Sequence, residues 1–166
     1  MINRLLLLIC FPAFSYATSF TDGSKDFGLS GGNDACWFDF NNDGWTDICI
    51  GGNVYRNVEG KKFEFVTKTG PCVAADFDND GFLDLYAWGS RKIYRNIDGK
   101  DFKIIELPEL PKGGSLGACW GDFNGDGFVD IYAGGYEKWP SDTYADFVLI
   151  NEAGKSFKLG WKEIRY

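Results

Sequence analysis

One acid-rich pattern of nine residues occurs three times, and no other feature constrains the chain as much. It reads DFNNDGWTD at 39–47, DFDNDGFLD at 76–84 and DFNGDGFVD at 122–130. Each copy follows a small or apolar run (ACWF, CVAA, ACWG) and precedes a strand-like run: Ile48-Cys49-Ile50, Leu85-Tyr86-Ala87-Trp88 and Ile131-Tyr132-Ala133. A second element recurs downstream, YRNVEGKKF at 55–63, YRNIDGKDF at 94–102 and the weaker LINEAGKSF at 149–157. This element spells strand, tight turn, strand, with Gly60, Gly99 and Gly154 at the positive-φ position of the turn. Each unit therefore predicts four strands, and the units span approximately 31–70, 71–110 and 113–160. Spacings of 37 and 46 residues between successive first aspartates bracket the period of four-stranded propeller blades, about 40–45 residues. The expected fold is all-β, a β-propeller-type array of three four-stranded blades, incomplete or part of a larger propeller. A small β-sandwich or a β-solenoid is the alternative for the same strands.

The loops carry the chemistry. Oxygens at positions 1, 3 and 5, a glycine at 6, a backbone carbonyl at 7 and an acid at 9 can fold around one hard cation. The ligand sets are Asp39, Asn41, Asp43, the Trp45 carbonyl and Asp47; Asp76, Asp78, Asp80, the Phe82 carbonyl and Asp84; and Asp122, Asn124, Asp126, the Phe128 carbonyl and Asp130. No Glu stands at position 12, so the loops differ from the EF-hand. Good turn chemistry alone would account for the Asn and the first Asp. It does not account for three or four carboxylates crowded into nine residues three times over, because like charges repel. Up to three Ca²⁺ ions are expected, calcium being favoured over magnesium by many oxygen ligands. The loop at 76–84 has four carboxylates and is expected to fill first.

Aromatics recur in phase with the loops: Phe40, Phe77 and Phe123 at position 2, and Trp45, Phe82 and Phe128 at position 7. Repetition in every unit points to packing between blades. The third unit carries an insertion at 134–147 holding Tyr136, Trp139 and Tyr144 among Glu137, Lys138, Asp142 and Asp146. These aromatics either fold back over their own blade or grip a partner.

Residues 1–17 read as a secretory signal peptide: Arg4, an apolar run from Leu5, and small Ser15 and Ala17 before a cleavage point at Thr18. Bulky Ile9 argues against lipidation at Cys10. The remaining apolar runs are too short to span a membrane. The chain is thus expected to be secreted or to reside in the cell envelope. Cys36, Cys49, Cys72 and Cys119 remain after cleavage, either as free buried thiols or as one or two disulfides. The net charge of −7 argues against a nucleic-acid partner. Histidine is absent, which excludes Ser-His-Asp and Cys-His catalysis and any His-ligated metal.

The segments VAADFDNDGFLDLYAWG and ACWGDFNGDGFVDIYAGG resemble FG-GAP/VCBS repeats, over roughly residues 31–157. The order of Asp loop and YRN hairpin is also similar to the cartilage acidic protein and ASPIC/UnbV-type group. The resemblance implies an integrin-α-like calcium-loop propeller in which each Asp loop joins two strands of a blade and holds one Ca²⁺. Such propellers have about seven blades, and closed ones at least four. Three units imply a fragment of a longer product, an array closed by oligomerising, or an open array that self-associates through its blade edges. Residues 19–29 read as the outer strand of a preceding blade.

The function expected from these features is non-enzymatic: a calcium-binding module for adhesion or macromolecular recognition, its partner a protein or a glycan. The alternatives are a fragment of a propeller-based carbohydrate-active enzyme and a structural spacer. A pair of carboxylates with raised pKa in a shared cleft outside the loops would mark the enzyme.

Overall fold

The computed structural model describes residues 22–135, 137–138 and 142–162. The expected signal peptide lies outside these residues, as do Tyr136 and Trp139 of the insertion. The protein is all-β. The first unit comprises β1 (Ala35–Phe38), β2 (Asp47–Ile50), β3 (Asn53–Val58) and β4 (Lys62–Lys68). The second comprises β5 (Cys72–Ala75), β6 (Asp84–Ala87), β7 (Lys92–Ile97) and β8 (Asp101–Ile105). In the third, β9 (Ser115–Gly121) and β10 (Asp130–Gly135) are followed by an inserted hairpin, β11 (Glu137–Lys138) with β12 (Asp142–Thr143). The unit ends with β13 (Phe147–Asn151) and β14 (Phe157–Lys162). Each unit is one antiparallel four-stranded sheet, the third in the order β14-β13-β10-β9. Among the described residues, strands pair only within their own unit. That separates this open array of propeller-like blades from a sandwich or a solenoid.

The local rules behind each sheet are simple. In every unit the Asp loop joins the first two strands, and a tight turn joins the last two. Gly60, Gly99 and Gly154 have φ of 69°, 67° and 73°, preceded by Glu59, Asp98 and Ala153, also at positive φ. Two successive positive φ values match the right-handed twist of the flanking strands. Gly99 and Gly154 answer a second demand as well. A Cβ on either would come within 2.8 Å of the Cα of Asn41 or Asp78 in the loop of the unit before.

Alternation along the strands gives every blade two apolar faces. The middle blade shows it most plainly: Leu85 and Ala87 join the core shared with the first unit, and Tyr86 joins the core shared with the third. The first core holds Phe38, Phe40, Cys49, Val54, Cys72, Leu85 and Ala87. The second holds Phe77, Tyr86, Ile93, Ile131, Ala133, Phe147, Leu149 and Phe157, with Trp120 packed against it. The first strands adjoin in sequence, β1 beside β5 and β5 beside β9.

Two expectations change here. The start of the described chain is no outer strand: residues 24–28 form a turn, closed by Leu29 N–H donating to the Ser24 carbonyl at 2.8 Å. A local Asp-Gly-Ser sequence favours that turn, and Ser24 N–H and Oγ both donate to Asp22 Oδ1. The phased aromatics also split. Phe40 and Phe77 pack between blades, whereas Phe123 and Trp45 are exposed. Position 2 is covered by the following unit, and nothing described follows the third. Trp45 lies over Gly60 of its own hairpin. All four described cysteines are free thiols; Cys49 and Cys72 are buried, and Cys119 is exposed.

Candidate metal centre

The three loops lie in succession along one rim. Asn42 Nδ2 donates to the Gly81 carbonyl at 2.8 Å, and Asn79 Nδ2 to the Gly127 carbonyl at 3.2 Å. Both asparagines stand at loop position 4 with positive φ, a conformation that Asn tolerates better than most residues. Gly125 fills that position in the third loop and has no side chain to offer a following unit.

Within each loop the first aspartate gathers amides. Asp39 accepts from the N–H of Asp43 and Gly44, Asp76 from Asp80 and Gly81, and Asp122 from Gly125, Asp126 and Gly127. The amide of Gly127, ahead of the other bonds, holds the Asp122 carboxyl below the usual range. The aspartate at position 5 caps the last turn. Asp43, Asp80 and Asp126 each accept the amide of the aromatic two residues on: Trp45, Phe82 and Phe128 respectively. This brings the position-7 residues, whose carbonyls complete the expected sets, against their loops.

The aspartate at position 9 is fully buried in all three units. One oxygen accepts the amide of position 2 and the other the amide of the hairpin asparagine. Asp47 takes Phe40 and Asn57, Asp84 takes Phe77 and Asn96, and Asp130 takes Phe123 and Asn151, at 2.7–3.1 Å. The residue thus ties loop to hairpin. A carboxylate oxygen has two lone pairs, so these bonds leave it able to ligate a cation as well. Burial pushes Asp47 up to about 6 and Asp84 up to about 7.

Position 3 distinguishes the loops. Asn41 and Asn124 supply their own donor: Nδ2 reaches Asp43 or Asp126 Oδ2 at 2.8 and 2.9 Å. Asp78 cannot donate, and its carboxylate is met instead by the charge of Arg95. Arg95 Nη2 lies 2.6 Å from Asp78 Oδ2 and 3.5 Å from Asp80 Oδ2. Both Asp78 oxygens are buried with no hydrogen bond, the Arg95 contact being an ion pair alone, and burial raises the pKa of the Asp78 carboxyl against the pull of Arg95. Oxygens of Asp76, Asp78 and Asp84 all fall within 4.8 Å of one another. A buried, unbonded carboxylate oxygen among converging carboxylates fits a hard divalent cation. Asp76, Asp78, Asp80, the Phe82 carbonyl and Asp84 are the residues that would hold it. Asn41 and Asn124 offer amide oxygens to the other two sets, and their Oδ1 atoms also accept the Asp43 and Asp126 amides.

The FG-GAP-like repeat family matches residues 39–87 and again 76–133, the stretch that holds all three loops. The chain belongs to the FG-GAP-like repeat family. A comparison with curated proteins finds no match.

Two roles escaped the loop pattern. Arg95 sits in the recurring YRN triplet, but the triplet alone does not show that it faces an acid. The asparagine of that triplet bridges units. Asn96 Nδ2 donates to the Phe40 carbonyl of the first unit and the Leu83 carbonyl of its own, at 2.7 and 3.0 Å. Asn151 does the same to Phe77 and Val129 at 2.8 and 3.0 Å. Its recurrence as Asn57, Asn96 and Asn151, even where the flanking Tyr and Arg are lost, was the available signal.

Proposed function

We propose that this FG-GAP repeat chain is an exported, non-enzymatic, calcium-binding module for adhesion or macromolecular recognition. The observation that carries the calcium reading is the buried, unbonded Asp78 carboxylate oxygen among Asp76 and Asp84. Export rests on the N-terminal signal pattern, and recognition on the family's propeller-type scaffold. Among the described residues, the carboxyls that burial raises are Asp47, Asp78 and Asp84, all within the loops. Burial of these three carboxyls in the loops supports a functional site there.

Calcium should stabilise the fold. At about 2 mM Ca²⁺ and a Kd of about 0.2 mM, each site contributes about 1.4 kcal/mol, and three contribute about 4 kcal/mol. Melting in calcium and in excess chelator tests this. A clear fall in Tm on chelation, restored by calcium, supports the reading, and identical melts refute it.

A further inference from the structure

The joint between the second and third units shows how one blade receives the next. Trp120 stacks on Phe77 with ring centroids 6.5 Å apart and 5° between planes, and meets Tyr86 edge-on at 6.3 Å. Its Nε1 donates to the Val73 carbonyl at 3.1 Å. Phe157 packs on Phe77 at 5.4 Å, and Asn151 Nδ2 donates to the Phe77 carbonyl.

Both halves of that joint recur at the two ends of the array. On the third unit, Phe123, Tyr132 and Cys119 hold the repeat positions of Phe77, Tyr86 and Val73. Phe123 is 52 % exposed and Cys119 is exposed. A cleft of about 400 Å³ opens there, lined by Leu116, Ala118, Cys119, Tyr132 and glycines of β9 and β10. On the first unit, Trp37 holds the position of Trp120 and is 60 % exposed. Asn57 holds the position of Asn151 and donates through Nδ2 to the Thr46 carbonyl of its own unit. Phe63, matching Phe157, is met by Phe27 of the N-terminal turn at 6.3 Å.

We propose that these two faces join between copies of this chain. Trp37 of a second copy seats between Phe123 and the Tyr132 side of the cleft, with its Nε1 donating to the Cys119 carbonyl. Asn57 of that copy donates to the Phe123 carbonyl. The contact continues the interface already made between the second and third units, with the same residue types at the same repeat positions. The N-terminal turn yields Phe63 as the joint forms, since Phe27 stands where Phe123 would pack. The contact is head-to-tail, and two such joints bring the six described units of two copies into one ring, within the range of about four to eight that propellers close.

The inference rests on the repeat geometry and not on calcium, which the chelator melts test separately. Sedimentation of the chain over a range of concentrations in millimolar calcium should show a two-copy species. Trp37→Ala and Phe123→Ala should each weaken it at least about 30-fold, with little change in the Tm of single copies at low concentration, where both side chains are exposed. Mixing the two variants should restore a two-copy species, because one of its two joints then has both aromatics. Cys119→Trp, which fills the cleft from within, should also give single copies, and it serves as the test if Trp37→Ala fails to fold. A wild-type chain that stays single, an open ladder of larger species, or variants that neither dissociate nor complement would overturn the proposal. A single-copy chain that binds a separately produced FG-GAP unit through the same cleft would overturn it in favour of a further blade.

Discussion

Phe77 and Phe123 occupy the same place in consecutive repeats, yet one is 1 % exposed and the other 52 %. Both follow an aspartate that gathers loop amides, and both donate their own amide to the position-9 aspartate. The difference is the neighbour. Phe77 is covered by Trp120 and Phe157 of the next blade, and Phe123 has no such blade among the described residues. The repeat thus builds the loop from within and borrows its core from outside. In such an array each joint stabilises the two units it connects, and an end face shows what a unit lacks by itself.

The strongest test of that contrast is Phe77→Ala against Phe123→Ala. The first should cost about 3–5 kcal/mol by opening a cavity between blades. The second should lie within about 0.5 kcal/mol when measured on single copies, as for an exposed site. Urea unfolding of both variants decides it, and equal costs would mean that Phe123 is covered after all.

A smaller effect separates Asn151 from Asn57. Asn151→Ala strips donors from the Phe77 and Val129 carbonyls and should cost about 2–3 kcal/mol, whereas Asn57→Ala strips one from Thr46 and should cost about 1 kcal/mol. The same unfolding curves measure both, and a larger loss at Asn57 would show that the bridge between blades adds nothing.

The loops offer a further contrast. The four carboxylates at 76–84, less the Arg95 charge, leave the same net −3 as the three carboxylates of each other loop. The expected advantage of 76–84 in calcium affinity is therefore offset while Arg95 stays in place. Arg95→Ala should tighten calcium binding at this loop several-fold. It should also destabilise the calcium-free chain by about 1 kcal/mol, the pair being partly exposed on the arginine side. Calorimetric titration reads the first effect and chelator melts the second. Unchanged affinity would mean that Arg95 moves away when the cation binds.

The smallest effect belongs to Arg56, the equivalent of Arg95 in the first unit. It pairs with Glu64 at 2.7 Å on the surface, both side chains being more than 40 % exposed. Arg56→Ala should change stability by less than about 0.5 kcal/mol and leave calcium binding alone. A calcium effect there would mean that Arg56 reaches its own loop in solution.

Much of this was legible in the chain itself. The three Asp loops and the glycine turns at Gly60, Gly99 and Gly154 follow from interactions a few residues apart, and the four strands of each unit from pairings at most about twenty residues apart. Asp76 meets amides four and five residues away and Asp80 meets one two residues away, so the local sequence determines them. Other features depend on partners dozens of residues distant. Asn96 reaches the Phe40 carbonyl 56 positions back, and Asn151 reaches Phe77 across 74. The chain repeats Phe at position 2 and Trp at 37 and 120 without saying which copies will be covered, because coverage belongs to the neighbouring blade. Nor does it say that Arg95 turns onto Asp78 while Arg56 turns away. A loop with asparagine at position 3 supplies its own hydrogen-bond donor, and only the packed arrangement brings a guanidinium to the loop that cannot.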